Sequence, residues 1–484
     1  MTTSQSRGGI AGKLAFCLSL ASACSSTTVS NIAPDADTDA GGRGRGGSGG
    51  TGGSGAGRGG QGGRAGSGAS GGTSGQSGSA GQAGTTGSTD AGEPCADPCM
   101  HGTCSVADGG PHCECQSGYT GPTCATNIDD CSPNPCPASA TCTDLVNDFT
   151  CACAGGLTGK RCELKRFQPL GLLPGGDQSS ATAISGDGLV VIGQGSTPDG
   201  VRAFRWTQTG GMQNLGRVLD DNASYGYGVN ADGSIVVGIS EGPPRGFRWT
   251  SGGMLALGFL PGGYASVAAG VSADGTTIVG QSSTESGQRA VRWTSGPAVD
   301  LGLLAGYTDA YASAASRDGS VIVGNTSHAT STAYPSQAFR VSATGIIGLG
   351  FLANQPTSSA AAVSADGTVI VGTSGRRAYR WTDATRMTDL GVLPGMTDCG
   401  ASGVSADGSV VVGYCSSTPT DSQPFIWDQT RGLRPLADEL TLAGASLNGY
   451  DLGYAAGVSA DGKVVAGAGA NANGVHEAWI VRLP

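Results

Sequence analysis

The pair Asp-Gly returns at Asp187, Asp232, Asp274, Asp318, Asp366, Asp407 and Asp461, at an average interval of about 46 residues. Around each pair the order is fixed. An Ala-x-x-Val-Ser stretch precedes it and a Val-Val-Val-Gly run follows; then come a variable segment, an Ala-Phe-Arg-Trp-Thr stretch and a short run ending near Leu-Gly-x-Leu-Pro-Gly-Gly. Short β-branched and aromatic runs bounded by glycine read as strands. Asp-Gly between two of them reads as a hairpin turn with glycine at positive φ. Four short strands in a unit of roughly 40 to 50 residues is the period of a β-propeller blade.

The ends of the repeat decide between a closed ring and an open stack. The last unit stops at its third strand, Ala478-Trp479-Ile480-Val481-Arg482, while Phe167-Gln168-Pro169-Leu170-Gly171 reads as a lone fourth strand ahead of the first full unit. The N-terminal strand is therefore expected to complete the last of seven blades over residues 165–484, which removes the exposed edges. An open stack would need capping units, and none is legible. All six tryptophans, Trp206, Trp249, Trp293, Trp381, Trp427 and Trp479, read at one repeat position, with Val341 taking it in the fourth unit. They are expected to pack between blades rather than form a binding stripe.

Upstream lie two sets of six cysteines: Cys95, Cys99, Cys104, Cys113, Cys115 and Cys124, then Cys131, Cys136, Cys142, Cys151, Cys153 and Cys162. Both follow the order C-x3-4-C-x4-5-C-x8-C-x-C-x8-C. Segments of about 30 residues bury too little to fold without staples, and spacing alone leaves their connectivity open. With Gly118-Tyr119 and Gly121 before Cys124, and Gly156 and Gly159 before Cys162, both sets resemble the EGF-like domain. The resemblance implies modules at 95–125 and 127–163 with first-to-third, second-to-fourth and fifth-to-sixth bonds. The pairs would be Cys95–Cys104, Cys99–Cys113, Cys115–Cys124, Cys131–Cys142, Cys136–Cys151 and Cys153–Cys162.

Calcium-binding members of that family carry an acidic or amide stretch before the first cysteine and C-x-[DN]-x4-[FY]-x-C later. Here Asn127-Ile128-Asp129-Asp130 precedes Cys131, and Cys142-Thr143-Asp144 runs to Phe149-Thr150-Cys151. The resemblance implies one Ca2+ held by side chains of Asn127, Asp130 and Asp144 and carbonyls of Ile128 and Leu145. A hard cation wants about six to eight oxygens. Asp130 is one methylene shorter than the family's usual Glu or Gln. The first module, with Val106 and Pro111 at the two diagnostic places, is expected to bind none.

The N-terminus reads as an export signal over residues 1–23: Arg7 and Lys13, the apolar stretch Leu14 to Ala21, then small residues. Leu20-Ala21-Ser22-Ala23-Cys24 resembles a bacterial lipobox, which implies a lipid on Cys24 and an outer-surface or secreted protein whose membrane contact is that anchor alone. Residues 24–94 are nearly all Gly, Ser, Thr, Ala and Gln, too polar to bury a core, and read as a disordered tether. The chain's 88 glycines thus fall partly in this tether, and most of the remainder are assigned to repeat turns. The fold class expected is all-β: a seven-bladed propeller preceded by two small EGF-like modules and a Gly-rich tether.

Charged residues are only 13% of the chain and form no basic patch, which argues against nucleic-acid binding. The repeats also resemble HAF-type extracellular repeats through Arg202-Ala203-Phe204-Arg205-Trp206, Gln337-Ala338-Phe339-Arg340 and Leu260-Pro261-Gly262-Gly263. That family lends no activity. The segments between strands two and three, and between blades, vary and emerge on one face. Tyr225, Tyr227, Tyr264, Tyr307, Tyr311, Tyr450 and Tyr454 are placed in the blade-to-blade loops, either as a recognition surface for an extracellular glycan or protein or as packing against neighbouring blades. Cys399 and Cys415, eight residues either side of Asp407, are expected to form a cross-strand disulfide. His101, His112, His328 and His476 give no nucleophile–His pairing on the repeats. The expected function is that of a monomeric surface binding or adhesion protein without catalysis. The alternatives are a polysaccharide hydrolase or lyase on the variable face and a purely structural matrix protein.

Overall fold

A computed structural model describes residues 99–107, 110–154, 156–218, 221–328, 336–418 and 421–484. The segments read as an export signal and a tether, with Cys24 and Cys95, lie outside these residues. The fold is all-β, with seven four-stranded antiparallel sheets and, among the described residues, one α-helix, Leu436–Leu442. Blade 1 runs Ser179–Ile184, Val190–Thr197, Gly200–Thr207 and Gly211–Asn214. Blades 2 to 6 follow in sequence, beginning at Ala223, Ser266, Asp309, Ser358 and Asp398. Blade 7 has Asp451–Val458, Val464–Ala470 and His476–Arg482, and takes Phe167–Pro169 as its fourth strand, with Val481 opposite Phe167. The ring closes as the ends of the repeat predict. First strands of neighbouring blades touch all the way round, blades 7 and 1 included, so they form the innermost layer.

Each Asp-Gly pair is the turn between first and second strands, its glycine at φ between +69° and +76°. In the turn of blade 4, Ser320 N donates to Asp318 Oδ1 at 3.0 Å. Ser316 Oγ donates to the same oxygen and accepts from Val321 N, both at 3.0 Å. Such hydrogen bonds satisfy the turn's polar groups internally. The residue before each Asp does more. Ala231 N donates to Ala273 O, Arg317 N to Ala365 O, Ala365 N to Ala406 O, Ala406 N to Ala460 O and Ala460 N to Gly186 O. Asp187 N to Ala231 O and Asp274 N to Arg317 O complete a closed ring of seven blade-to-blade hydrogen bonds. That position is Ala in five of the seven turns but Gly186 and Arg317 in the other two, so the ring rests on backbone groups and not on one side chain.

The strands bring one refinement and one correction. The glycine ending each Val-Val-Val-Gly strand (Gly193, Gly238, Gly280, Gly324, Gly372, Gly413 and Gly467) lies in mid-strand. All seven first strands carry a bulge beside it. A Cβ on Gly324 would land on the Tyr311 carbonyl oxygen, and the other six meet the equivalent carbonyl. The tryptophans also divide. Trp206 faces Val191, and Trp249, Trp293, Trp381 and Trp427 sit likewise, but Trp479 faces Gly467, as Phe204 faces Gly193. Val481 holds the tryptophan place in blade 7. The flat glycine opposite leaves room for either ring. All six tryptophans join clusters that mix side chains of two neighbouring blades, so the core lies between blades.

Ahead of the ring, the disulfides Cys99–Cys113, Cys115–Cys124, Cys131–Cys142, Cys136–Cys151 and Cys153–Cys162 hold two hairpins, Gly102–Ala107 with Gly110–Cys115 and Thr141–Leu145 with Asp148–Ala152. Cys104 is disulfide-bonded. The two modules meet where Tyr119 pairs with Asn127 and Ile128 N donates to Gly118 O at 2.9 Å. The second module is latched to blade 7: Arg482 N donates to Arg166 O at 2.8 Å and Arg482 Nη1 to Lys165 O at 2.9 Å.

Candidate functional site

The hairpin of the second EGF-like module lays Asp144 beside the segment leading into Cys131. Asn127 Nδ2 donates to Asp144 Oδ2 at 2.6 Å and to Leu145 O at 2.9 Å, and Asp130 N donates to Asp144 Oδ1 at 2.7 Å. Asn127, Asp130, Asp144 and Leu145 therefore meet in one pocket, while Ile128 spends its amide on the first module. Asn127 Oδ1 and Asp130 Oδ2 are buried with no hydrogen-bond partner. Leaving such oxygens dry and unpaired is costly. The carboxylate and carbonyl oxygens converge on the partly positive Asn127 amide nitrogen, the kind of group a cation replaces. The residues fit Ca2+ on this ground: two carboxylates, an amide oxygen and main-chain carbonyls are hard donors on two segments. Among the described residues no group of three His, Cys, Asp or Glu side chains could hold a metal, and this pocket is instead rich in amide and carbonyl oxygen.

On the propeller the two ends differ. The Asp-Gly end is uniform and stitched by its ring of hydrogen bonds. At the opposite end, connections between second and third strands range from the two residues between Thr284 and Gly287 to the nine between Ser327 and Gln337. Blade-to-blade connections are more regular than the sequence suggests. Only the one from Pro435 to Asp451 stands out: it has fifteen residues and carries the helix. That helix is pinned by Glu439, which accepts from Arg434 Nε at 2.6 Å and Arg431 Nη1 at 2.9 Å.

The tyrosines do not form one surface. Tyr225 and Tyr227 lie on the first strand of blade 2, Tyr311 on that of blade 4 and Tyr454 on that of blade 7, not in loops. The first strands reach further from the turn than its spacing implies: Tyr225 pairs with Ile239 and Tyr311 with Asn325 of the second strand. Tyr454 donates across the ring closure to Ala181 O at 3.3 Å, and burial pushes its hydroxyl up to about 12. Tyr450 is buried and donates to Glu477 O at 2.6 Å; Tyr307 donates to Gln337 Oε1 at 3.1 Å. Of the seven, Tyr264 is the open one, 70% exposed, with Phe259 nearby in the same connection at 41%.

Cys399 and Cys415 face each other directly across the first two strands of blade 6 and are disulfide-bonded and buried. The fold also makes a contact that the linear positions hide: Ser180 Oγ lies 3.3 Å from His476 Nδ1, across the seam where blade 7 meets blade 1. Nδ1 is equally close to Ser179 O, and Ser180 is 5% exposed, so the imidazole is a brace for the seam.

A family model described as the EGF-like domain matches residues 95–123. The chain is 56% identical over 41 residues to Fibropellin-3 of Strongylocentrotus purpuratus, covering 8% of this chain and 7% of that one. It is 44% identical over 69 residues to laminin subunit gamma-1 of Homo sapiens, covering 13% and 4%. The chain thus spans less than a tenth of these curated relatives. Among solved structures, an oligogalacturonate lyase in complex with manganese aligns at 14% identity with a TM-score of 0.46, covering 66% of this chain and 93% of that chain. TolB from Acinetobacter baumannii aligns at 14% identity with a TM-score of 0.38, covering 51% and 62%. Those two likenesses are too slight to inform activity.

Proposed function

We propose that this is an exported bacterial surface protein that binds an extracellular glycan or protein through the variable end of its propeller, with Ca2+ stiffening the joint between its EGF-like modules. One observation carries the reading: the Asp-Gly end is built of near-identical, mutually bonded turns, while the opposite end holds the irregular connections and the exposed Tyr264 and Phe259. Loops on a rigid scaffold are where recognition resides. The HAF-like character of the repeats, the lipid on Cys24 and the monomeric state belong to the same proposal. Bound calcium would supply charge to cross-link Asn127, Asp130, Asp144 and the neighbouring carbonyls, next to the contact of Ile128 with Gly118.

The test is a screen of the full chain against glycans and extracellular matrix proteins, with product analysis. Binding without turnover supports the reading, turnover moves it to a polysaccharide lyase or hydrolase, and neither result leaves a structural protein. Calcium is tested separately by calorimetry on the full chain and on Asp144→Asn. Heat with millimolar Ca2+ that vanishes in the variant is expected, and no heat in the parent chain would sink the metal site.

A further inference from the structure

A cleft of about 430 Å3 opens where the second EGF-like module meets blade 7. Its apolar part is Leu157, Phe167 and Pro169, with Phe167 edge-on to Tyr450 at a centroid distance of 5.0 Å. Its polar part comes from two loops of the variable end: Ser446 and Asn448 from the long connection after blade 6, Asn471 and Asn473 from the loop between the second and third strands of blade 7. Lys165 joins from the linker, and no Asp or Glu lines the cleft, although the chain carries a net charge of -10.

The placement of lysine is unusual. Beyond Lys13 the chain has only Lys160, Lys165 and Lys463. Lys160 is paired with Asp148 and lies over the Phe149 ring, and Lys463 belongs to the last Asp-Gly turn. Lys165 is exposed and lines the cleft, while its carbonyl is fixed by Arg482.

We propose that this cleft binds a uronic acid unit of an acidic polysaccharide; the inference deepens the binding role given above and rests on it. An apolar ring suits the C–H face of a pyranose, and Asn448 Nδ2 and the Asn473 amide can bond its hydroxyls. Asn471 holds its own loop instead, its Oδ1 accepting from Asn473 N and Val475 N and its Nδ2 donating to Glu477, while Asn448 Oδ1 accepts from Ser446 Oγ. The ammonium of Lys165 meets the carboxylate. A peptide is the poorer fit, because the edge strand at the cleft contains Pro169, which lacks the amide needed for strand addition.

The experiment titrates the full chain with a polyuronate trisaccharide and with its carboxyl-reduced, neutral counterpart. It compares Lys165→Gln, Asn448→Gly and, on the open part of the variable end, Tyr264→Ala. Asn448 has φ +50°, so glycine keeps the backbone there. Lys165→Gln is expected to weaken the uronate about tenfold and leave the neutral sugar unchanged, and Asn448→Gly to weaken both. Uronate binding that survives both cleft variants but is lost in Tyr264→Ala overturns the cleft and leaves the binding face standing. No uronate binding by the folded parent chain overturns the cleft whatever other ligand the screen returns.

Discussion

Gly324→Ala is the sharpest test of how the blades are built. A Cβ there would lie 2.9 Å from Ala312 Cα and from the Tyr311 carbonyl carbon, and closer still to the carbonyl oxygen. Carbon atoms settle near about 3.5 Å, so the first strand of blade 4 must retreat by at least about 0.6 Å. It has little room to do so. It touches the first strands on both sides, and on one side a Cβ at Gly270 would lie only 2.6 Å from Ser313 O. Overpacking of this kind costs about 1–3 kcal/mol, and each ladder hydrogen bond stretched beyond use adds about 1 kcal/mol. A loss of about 3–5 kcal/mol is expected, read as a fall in the denaturant midpoint with the slope unchanged. Gly296→Ala is the control, since nothing lies within 4 Å of a Cβ there, and it should be neutral or slightly stabilising. Equal midpoints for the two variants would refute the view that the strand glycines are required by the bulge.

Three further outcomes are expected. The Tyr379 hydroxyl is fully buried without a partner, at the place where blades 1, 2, 4 and 6 have Phe204, Phe247, Phe339 and Phe425; Tyr379→Phe should raise stability by about 1 kcal/mol in a thermal melt. Asp318 is lowered to about 2 by the Ser320 amide and then by hydroxyls, and Asp232, Asp274, Asp366 and Asp407 are lowered by hydrogen bonds from neighbouring hydroxyls and amides. Unfolded carboxyls titrate near about 3.9 and bind more protons below that, so this stabilisation is complete above about pH 4 and is lost as pH falls through about 2; a denaturant midpoint that held constant down to pH 2 would contradict it. Cys399 and Cys415 should resist alkylation until the chain is reduced and unfolded, and replacing both with Ala should cost about 3 kcal/mol, given their separation of 16 residues.

The repeat made most of the ring legible because turn chemistry is local. Asp-Gly, with a serine two residues before it (Asn230 in blade 2), satisfies its own hydrogen bonds within a few residues, so a turn announces itself in any blade. The seam between ends was legible for the same reason: a missing fourth strand at Arg482 and a spare one at Phe167 are counts along the chain. What the chain hid is what depends on neighbours across space. The first strands reach further from the turn than its spacing implies, their outer residues pairing beyond the strand glycine, as Tyr225 does with Ile239 and Tyr311 with Asn325, so Tyr225, Tyr311 and Tyr454 lie in strands and not in loops. The need for glycine at Gly324 was hidden in the same way, because the Tyr311 carbonyl that a Cβ there would meet comes from the neighbouring strand. The pocket of Asn127, Asp130 and Asp144 lies between these cases. Its residues stand out in sequence because Asn127 and Asp144 flank fixed cysteines, yet only the folded hairpin leaves Asn127 Oδ1 and Asp130 Oδ2 buried and unpaired. The cleft at Lys165 was illegible altogether, since its sides come from the linker, from Asn448 and from Asn473, and closure of the ring is what brings the first of these to the other two.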